Sequence, residues 1–308
     1  RLTGGEMNRV PVSTAERQDR RFAIIASAPA VITIGALFVY PMLYAVVLSF
    51  YRVNDKTPAS NGIVGVGNYL SLLSDSGFQS SLLRTSIFCV FTVFGGVGLA
   101  IGIASLLNRR FRGRTVARVL LLVPWAVPPV VNGIMWKVVF DGSYGVINYV
   151  LMGLGITEDR IQWLATPNLA MGVLILAEIW KLTPFLALMA LASMQAIPAN
   201  MYRAATIDGA SSWQQFWRIL LPNMRGTIMF LLIVQSMWSI KVFDSIYVLT
   251  GGSGGPAEAT TTVNFLAYLT TFSYLDRGYG AAMSLAIMVV VTLVAMFWVL
   301  VLGRKGKE

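Results

Sequence analysis

Tyr202-Arg203-Ala204-Ala205-Thr206-Ile207-Asp208-Gly209-Ala210-Ser211-Ser212-Trp213-Gln214-Gln215-Phe216-Trp217-Arg218-Ile219-Leu220-Leu221-Pro222 stands between two long apolar runs. Its pattern predicts helix, turn, helix over 197–222. Pro198 suits the opening of the first helix, and Asp208-Gly209 is a turn pair whose glycine can take a positive φ. Ser211 and Ser212 are each followed three residues later by Gln, the capping-box spacing, and Pro222 is expected to stop the second helix. Trp213, Phe216, Trp217, Leu220 and Leu221 fall on one side of that helix and need either the bilayer surface or another protein. A polar, helix-forming segment between membrane-length runs is accounted for by the docking of a soluble partner.

The rest of the chain is that of a membrane protein. Of its 308 residues 56% are hydrophobic and only 12% charged, against roughly 25% charged in soluble domains. Six apolar runs reach the roughly 20 residues that cross a bilayer: 22–50, 82–108, 116–140, 168–192, 226–250 and 281–302. The first is too long, and lacks the small-residue cleavage site, for a removable signal. The expected fold is therefore an all-α membrane protein with six transmembrane helices. A tail (1–21) precedes the six-helix domain (22–302), and a second tail (303–308) follows it.

The net charge of +10 follows topology. Arg1, Arg9, Arg17, Arg20 and Arg21 precede the first run; Arg109, Arg110, Arg112, Arg114 and Arg118 separate the second and third. Arg203, Arg218 and Arg225 separate the fourth and fifth, and Arg304, Lys305 and Lys307 follow the last. The alternate connections hold only Arg52, Lys56, Arg160 and Arg277. Short loops rich in Lys and Arg stay in the cytoplasm, so both termini are expected there, and no nucleic-acid partner is implied. Cys89 is the only cysteine and there is no histidine. Disulfides within the chain, His-based proton relays and Ser-His-Asp triads are thereby excluded; no metal site or catalytic residue is expected. No Gly-x-x-x-x-Gly-Lys-Ser/Thr phosphate loop is present, so energy must come from an ion gradient or a partner subunit.

Within the runs, Pro124, Pro128 and Pro129 must kink or unwind the third, and Gly98-x-x-x-Gly102 would let a second helix come close. External loops are expected at 53–81, 141–167 and 250–280, and no internal repeat is evident. Glu178 and Lys181 stand three apart on the fourth helix, as do Lys241 and Asp244 on the fifth. A central charge costs about 3 kcal/mol on the insertion scale, whereas a Leu returns at most about 0.6, so lipid-facing positions are implausible. Two readings stay open: internal salt bridges between helices, or a lining of the solute path. Lys137, near the external end of its run, is expected to snorkel to the interface.

The 202–222 segment resembles the EAA loop of permease subunits in ATP-binding-cassette (ABC) importers, whose pattern is Glu-Ala-Ala-x-x-x-Gly-Ala with Phe and Leu-Pro downstream. Ala204, Ala205, Asp208, Gly209, Ala210, Phe216, Leu221 and Pro222 match in place. Leu249-Thr250-Gly251-Gly252, Gly254-Gly255-Pro256 and Gly278-Tyr279-Gly280-Ala281-Ala282 resemble the carbohydrate-importer branch. Trp136-Lys137 with Gly145-Val146-Ile147-Asn148 resembles its maltose-permease F-like first permease. Arg203 departs from the pattern, standing where the family usually has Glu, so that carboxylate's role is not carried over to it.

The resemblance implies the ABC type I importer permease fold in a bacterial or archaeal inner membrane. It also implies a chain without chemistry of its own, forming half of a sugar pathway of trehalose or maltose type. The partners would be a second permease, a cytoplasmic ABC ATPase dimer that binds the ATP and Mg, an extracytoplasmic solute-binding protein and membrane lipid; the chain itself would carry no cofactor. Arg203, Ala204, Ala205, Asp208, Gly209 and Ala210 would form the coupling helix in a cleft of the ATPase. Sugar contacts are expected from Lys181 and Phe185 on the fourth helix and Gln235, Trp238, Ser239 and Asp244 on the fifth, with polar groups for hydroxyls and aromatic faces for apolar ring sides. The alternative is an ion-coupled secondary transporter using Glu178, Lys181, Lys241 and Asp244, which leaves the docking segment without a use.

Overall fold

The computed structural model of the chain describes residues 14–303; the expectations for 1–13 and 304–308 lie outside the described residues. α1 (Thr14–Ile34) passes through a π turn, Gly35–Val39, into α2 (Tyr40–Leu48), so residues 14–21 of the expected tail are helical. Pro41 has no N–H to return to the preceding turn, and the widened π turn just before it accommodates the ring. A hairpin, β1 (Tyr51–Arg52) against β2 (Gly62–Ile63), and α3 (Gly67–Ser74) lead to α4 (Ser76–Asn108). Asp75 caps α4 by accepting from the N–H groups of Gly77 and Phe78. α5 (Arg114–Leu121), α6 (Val123–Ala126), α7 (Pro129–Val139) and α8 (Val146–Gly153) precede α9 (Pro167–Ala196). α10 (Ala199–Ile207), α11 (Ser212–Gln215), a π turn Phe216–Leu220 and α12 (Leu221–Asn223) make the docking segment. α13 (Arg225–Ile240), α14 (Asp244–Leu249), α15 (Val263–Tyr268) and α16 (Arg277–Gly303) complete the chain.

Among the described residues, four stretches are long and apolar enough to cross a membrane: Ile25–Leu48, Ser76–Asn108, Pro167–Ala196 and Arg277–Gly303. Two bent pairs, Arg114–Ala126 with Pro129–Val139 at 95° and Ser212–Asn223 with Arg225–Ile240 at 71°, would bring the number to six if each is counted as one span. The first break falls at Val127-Pro128, as the proline cluster predicts.

The fifth run differs from expectation. Its helix ends at Ile240, and Lys241-Val242-Phe243 lead into the separate α14, so Lys241 and Asp244 do not share a helix face. The freed carbonyls are met from α15: Asn264 Nδ2 donates to Lys241 O (2.7 Å) and Thr262 Oγ1 to Val242 O (3.2 Å). Pro222 does not stop its helix either. It occupies the first turn of α12, where a missing N–H is tolerated, and the bend comes at Met224.

α4 and α9 form the central packing pair, with α13 laid across α4. Gly95 faces Ile179 and Gly96 faces Leu186 and Gln235, which lets the three helices approach. No other residue lies within 4 Å of a Cβ at Gly98 or Gly102, so the expected close approach occurs one turn earlier. The core between them is built from Val93, Val97, Ala100, Leu186, Ala190 and Leu231. By contrast, no residue in the most apolar stretch of Ile25–Leu48 is buried within the chain.

All three of the expected external loops carry helices of their own, α3, α8 and α15. Asn148, 2% exposed, holds the α7–α9 connection. Its Nδ2 donates to Ile161 O (3.0 Å) and Gly142 O (3.2 Å), while its Oδ1 accepts from Trp163 Nε1 (2.9 Å) and Ile161 N (3.2 Å). Asn148→Ala leaves these groups without partners at about 1–3 kcal/mol each where they stay buried. We expect a melting temperature lower by several degrees in detergent and faster proteolysis within 141–166; unchanged values of both would refute the role of Asn148 as the hub. In the same loop the N–H groups of Ser143 and Tyr144 donate to Asp141 Oδ1 and, with Lys137 nearby, hold its carboxyl below the usual range. That contribution is complete above the ordinary aspartate pKa and is lost only as pH falls through the lowered one.

Candidate functional site: a docking turn and a central cavity

α10 ends in a Schellman turn. Asp208 is the C-cap and Gly209 follows at φ +77°. Ala210 N donates to Ala205 O (2.9 Å) and Gly209 N to Thr206 O (3.1 Å), the pair of bonds that closes such an end. Ser211 then opens α11 with a complete capping box: its hydroxyl accepts from Gln214 N, and Gln214 Oε1 accepts from Ser211 N. Of the two serines with capping-box spacing, it is Ser211 that caps. Gln215 Nε2 ties the two helices together by donating to Thr206 Oγ1 and Ala210 O, both at 3.1 Å. The turn is therefore rigid although it is exposed.

The apolar face of the second helix divides. Leu220 is buried and Phe216 packs on the core beside it, with Tyr202 of α10. Trp213 remains 68% exposed, Trp217 52%, and Ile207 of the first helix 86%. Arg203, Ala204, Asp208 and Gly209 are exposed, while Ala205 and Ala210 are half-buried. Arg203 has no ion pair among the described residues.

The segment lies between α9, which carries Glu178 and Lys181, and α13, which is followed by Lys241 and by Asp244 at the start of α14. A cavity of about 450 Å³ opens between α6, α9, α13 and α14, with Glu178, Lys181, Trp238, Lys241 and Asp244 in its wall. Phe185 supports it, stacked on Trp125 with ring centres 5.5 Å apart and lying 5.4 Å from the Trp238 ring. Neither charge pair is a salt bridge among the described residues. Glu178 is 94% buried, and among the described residues its Oε1 has no hydrogen-bond partner.

Lys181, Phe185, Trp238 and Asp244 are thus brought together at the cavity. Gln235 and Ser239 are not. They are buried against α4, where Ser239 Oγ lies 2.8 Å from Thr92 Oγ1 and Gln235 Nε2 donates to Thr92 O at 3.4 Å. The rotation of α13 turns these two inward onto α4, and neither lines the cavity. Trp125, Pro128 and Pro129 also line the cavity; the proline cluster was the signal for this stretch.

Residues 96–307 match the family described as "Binding-protein-dependent transport system inner membrane component". The chain belongs to that family. This inner-membrane component is 35% identical over 279 residues to the trehalose/maltose transport system permease protein MalF of Thermococcus litoralis, covering 91% of this chain and 92% of that protein. It is 33% identical over 287 residues to the sulfoquinovosyl glycerol transport system permease protein SmoG of Agrobacterium fabrum, covering 93% and 92% of the two chains. Its fold matches the crystal structure of a bacterial ABC transporter involved in import of the acidic polysaccharide alginate, with a TM-score of 0.81 at 22% identity over 95% of this component and 99% of that chain. The fold is that of an ABC importer permease.

Proposed function

We propose that the chain is the permease subunit of an ATP-driven importer of a sugar or sugar derivative, of the trehalose or maltose type. It forms half of the translocation pathway, with both termini and the α10–α12 segment on the cytoplasmic side. The observation that carries this reading is mechanical. The exposed, rigid turn at 203–210 joins directly to α9, and the second helix leads directly to α13, the two helices whose side chains wall the cavity. A push on the turn is transmitted to the cavity wall without crossing a flexible linker. In this reading Arg203, Ala204, Ala205, Asp208, Gly209 and Ala210 seat in a cytoplasmic ABC ATPase that binds the ATP and Mg. A second permease supplies the other half of the path, and an external binding protein delivers the solute. ATP and the loaded binding protein each favour the outward-open state through differential contacts with it.

The aromatic wall of Trp125 and Trp238, backed by Phe185, suits the apolar faces of sugar rings, and Lys181, Asp244 and Glu178 suit hydroxyls. The test is uptake of radiolabelled trehalose and maltose by cells carrying the full system, with Trp238→Ala beside wild type. We expect uptake to fall by about tenfold or more in the variant, the scale of one well-packed aromatic contact, with ATPase co-purification unchanged. Uptake that survives ATP depletion but stops when the ion gradient is collapsed would establish the secondary-transporter reading instead.

A further inference from the structure

The loop joining α4 to α5 carries a cationic feature that transport does not use. Arg109, Arg110, Arg112, Arg114 and Arg118 lie within ten residues, and no acidic residue occurs between Asp75 and Asp141. Among the described residues none of the five makes an ion pair, and Arg118 Nε and Nη2 are buried without a hydrogen-bond partner. Arg110, Phe111, Gly113, Arg114, Thr115 and Val116 enclose a pocket of about 600 Å³. Two of those residues are arginines, and Phe111 and Val116 are apolar.

α5 has three distinct faces. Ala117 and Leu121 pack inward on the core. Val116, Val119 and Leu120 point outward, each more than 60% exposed. Arg114 and Arg118 lie one helical turn apart between these faces. In a membrane protein an outward apolar face belongs to the acyl chains, and a cationic pocket at the head of that face then lies at headgroup depth. Basic pockets and polybasic segments at such a boundary attract anionic headgroups.

We propose that this pocket binds the phosphate headgroup of an anionic phospholipid, with Arg110 and Arg114 pairing the phosphate and the acyl chains lying along Val116, Val119 and Leu120. Charge complementarity selects the anionic headgroup, and the adjoining apolar face selects a lipid over free phosphate. The proposal requires only that the chain is embedded in a bilayer, and it stands or falls independently of the solute.

The experiment is native mass spectrometry of the detergent-solubilised full chain, titrated with phosphatidylglycerol or phosphatidylcholine. Wild type is compared with Arg110→Gln/Arg114→Gln and with the same-charge control Arg218→Gln/Arg225→Gln. Wild type is expected to prefer phosphatidylglycerol by about tenfold, the pocket variant to lose that preference, the control to keep it, and millimolar inorganic phosphate to leave the lipid bound. If the double variant is not monodisperse, Thr115→Asp, which places a negative charge in the pocket at an exposed position, carries the same expectation. Equal affinity for the two lipids in wild type, a preference retained in the pocket variants, an equal loss in the control, or displacement of the lipid by phosphate would each overturn the proposal. Loss of ATPase co-purification in the pocket variant with lipid binding intact would reassign the pocket to a protein contact.

Discussion

Gly209→Arg is expected to leave the chain in the membrane at near-normal levels while abolishing co-purification of the ATPase and ATP-driven uptake. Gly209 sits at φ +77° with no other residue within 4 Å of the position a Cβ would take. An L-residue there is strained by about 1–2 kcal/mol, which a turn tied by Gln215 and the Ser211 capping box can bear. The fold has no steric objection to the new side chain; under the proposed docking the partner does, because a long cation would project from the apex of the contact. Disrupting a central position of an interface costs enough to lower association by about a hundredfold or more. Gly209→Ala is expected to show a smaller loss, since it keeps the strain but adds little bulk. Pull-down of the tagged chain in mild detergent, with uptake in parallel, checks both. Full association and uptake in Gly209→Arg would remove the docking role from this turn.

The largest effect on stability is expected at Gly278. It lies in the first turn of α16, and a Cβ there would overlap the carbonyl oxygen of Tyr51 and lie 2.9 Å from Val53 N. Both neighbours are backbone, so neither can rotate aside; β1 must leave α16. That separation breaks the bonds from Arg277 N and Gly278 N to Val53 O and loosens the Arg277–Asp55 ion pair. The Tyr279 hydroxyl, which donates to Asp75 Oδ2 at 2.7 Å, loses its register with the cap of α4. Overpacking of this kind costs about 1–3 kcal/mol before the lost hydrogen bonds are counted. Gly278→Val is therefore expected to lower the melting temperature and the membrane yield more than any other substitution considered. Gly98→Val, at a helical position with no contact within 4 Å, is the matched control and should be tolerated. Similar melting temperatures for the two variants would show that the β1–α16 contact is dispensable.

How much of this was legible in the sequence depended on how local the cause was. The Asp208-Gly209 turn and the capping box follow from residues within a few positions of one another, and they are where the pattern puts them. The break at Val127-Pro128 is equally local, since proline both removes a donor and obstructs the preceding turn. The break at Lys241 is not. It persists because Thr262 and Asn264, some twenty residues later, take up the freed carbonyls, and a spacing rule applied to Lys241 and Asp244 cannot see them. The rotation of α13 was likewise hidden. Gln235, Trp238 and Ser239 are all plausible solute contacts on a helix drawn alone, and only the approach of Thr92 on α4 separates Trp238 from the other two. Glu178 was flagged by cost alone, and burial without a partner for Oε1 is what places it in a wall rather than in a salt bridge.

The interruption at residues 241–243 has a mechanical corollary. A broken helix inside a bilayer normally needs water or a neighbouring subunit to quiet its bare carbonyls, which ties the break to a wet or assembled state. Here the socket is furnished by the same polypeptide, through Asn264 and Thr262. The joint therefore needs no neighbouring subunit to keep its shape. Its geometry is also indexed to α15: any swing of α14 must carry residues 262–264 with it or surrender both bonds. Motion at this level would then move the 241–242 joint and the start of α15 as one block.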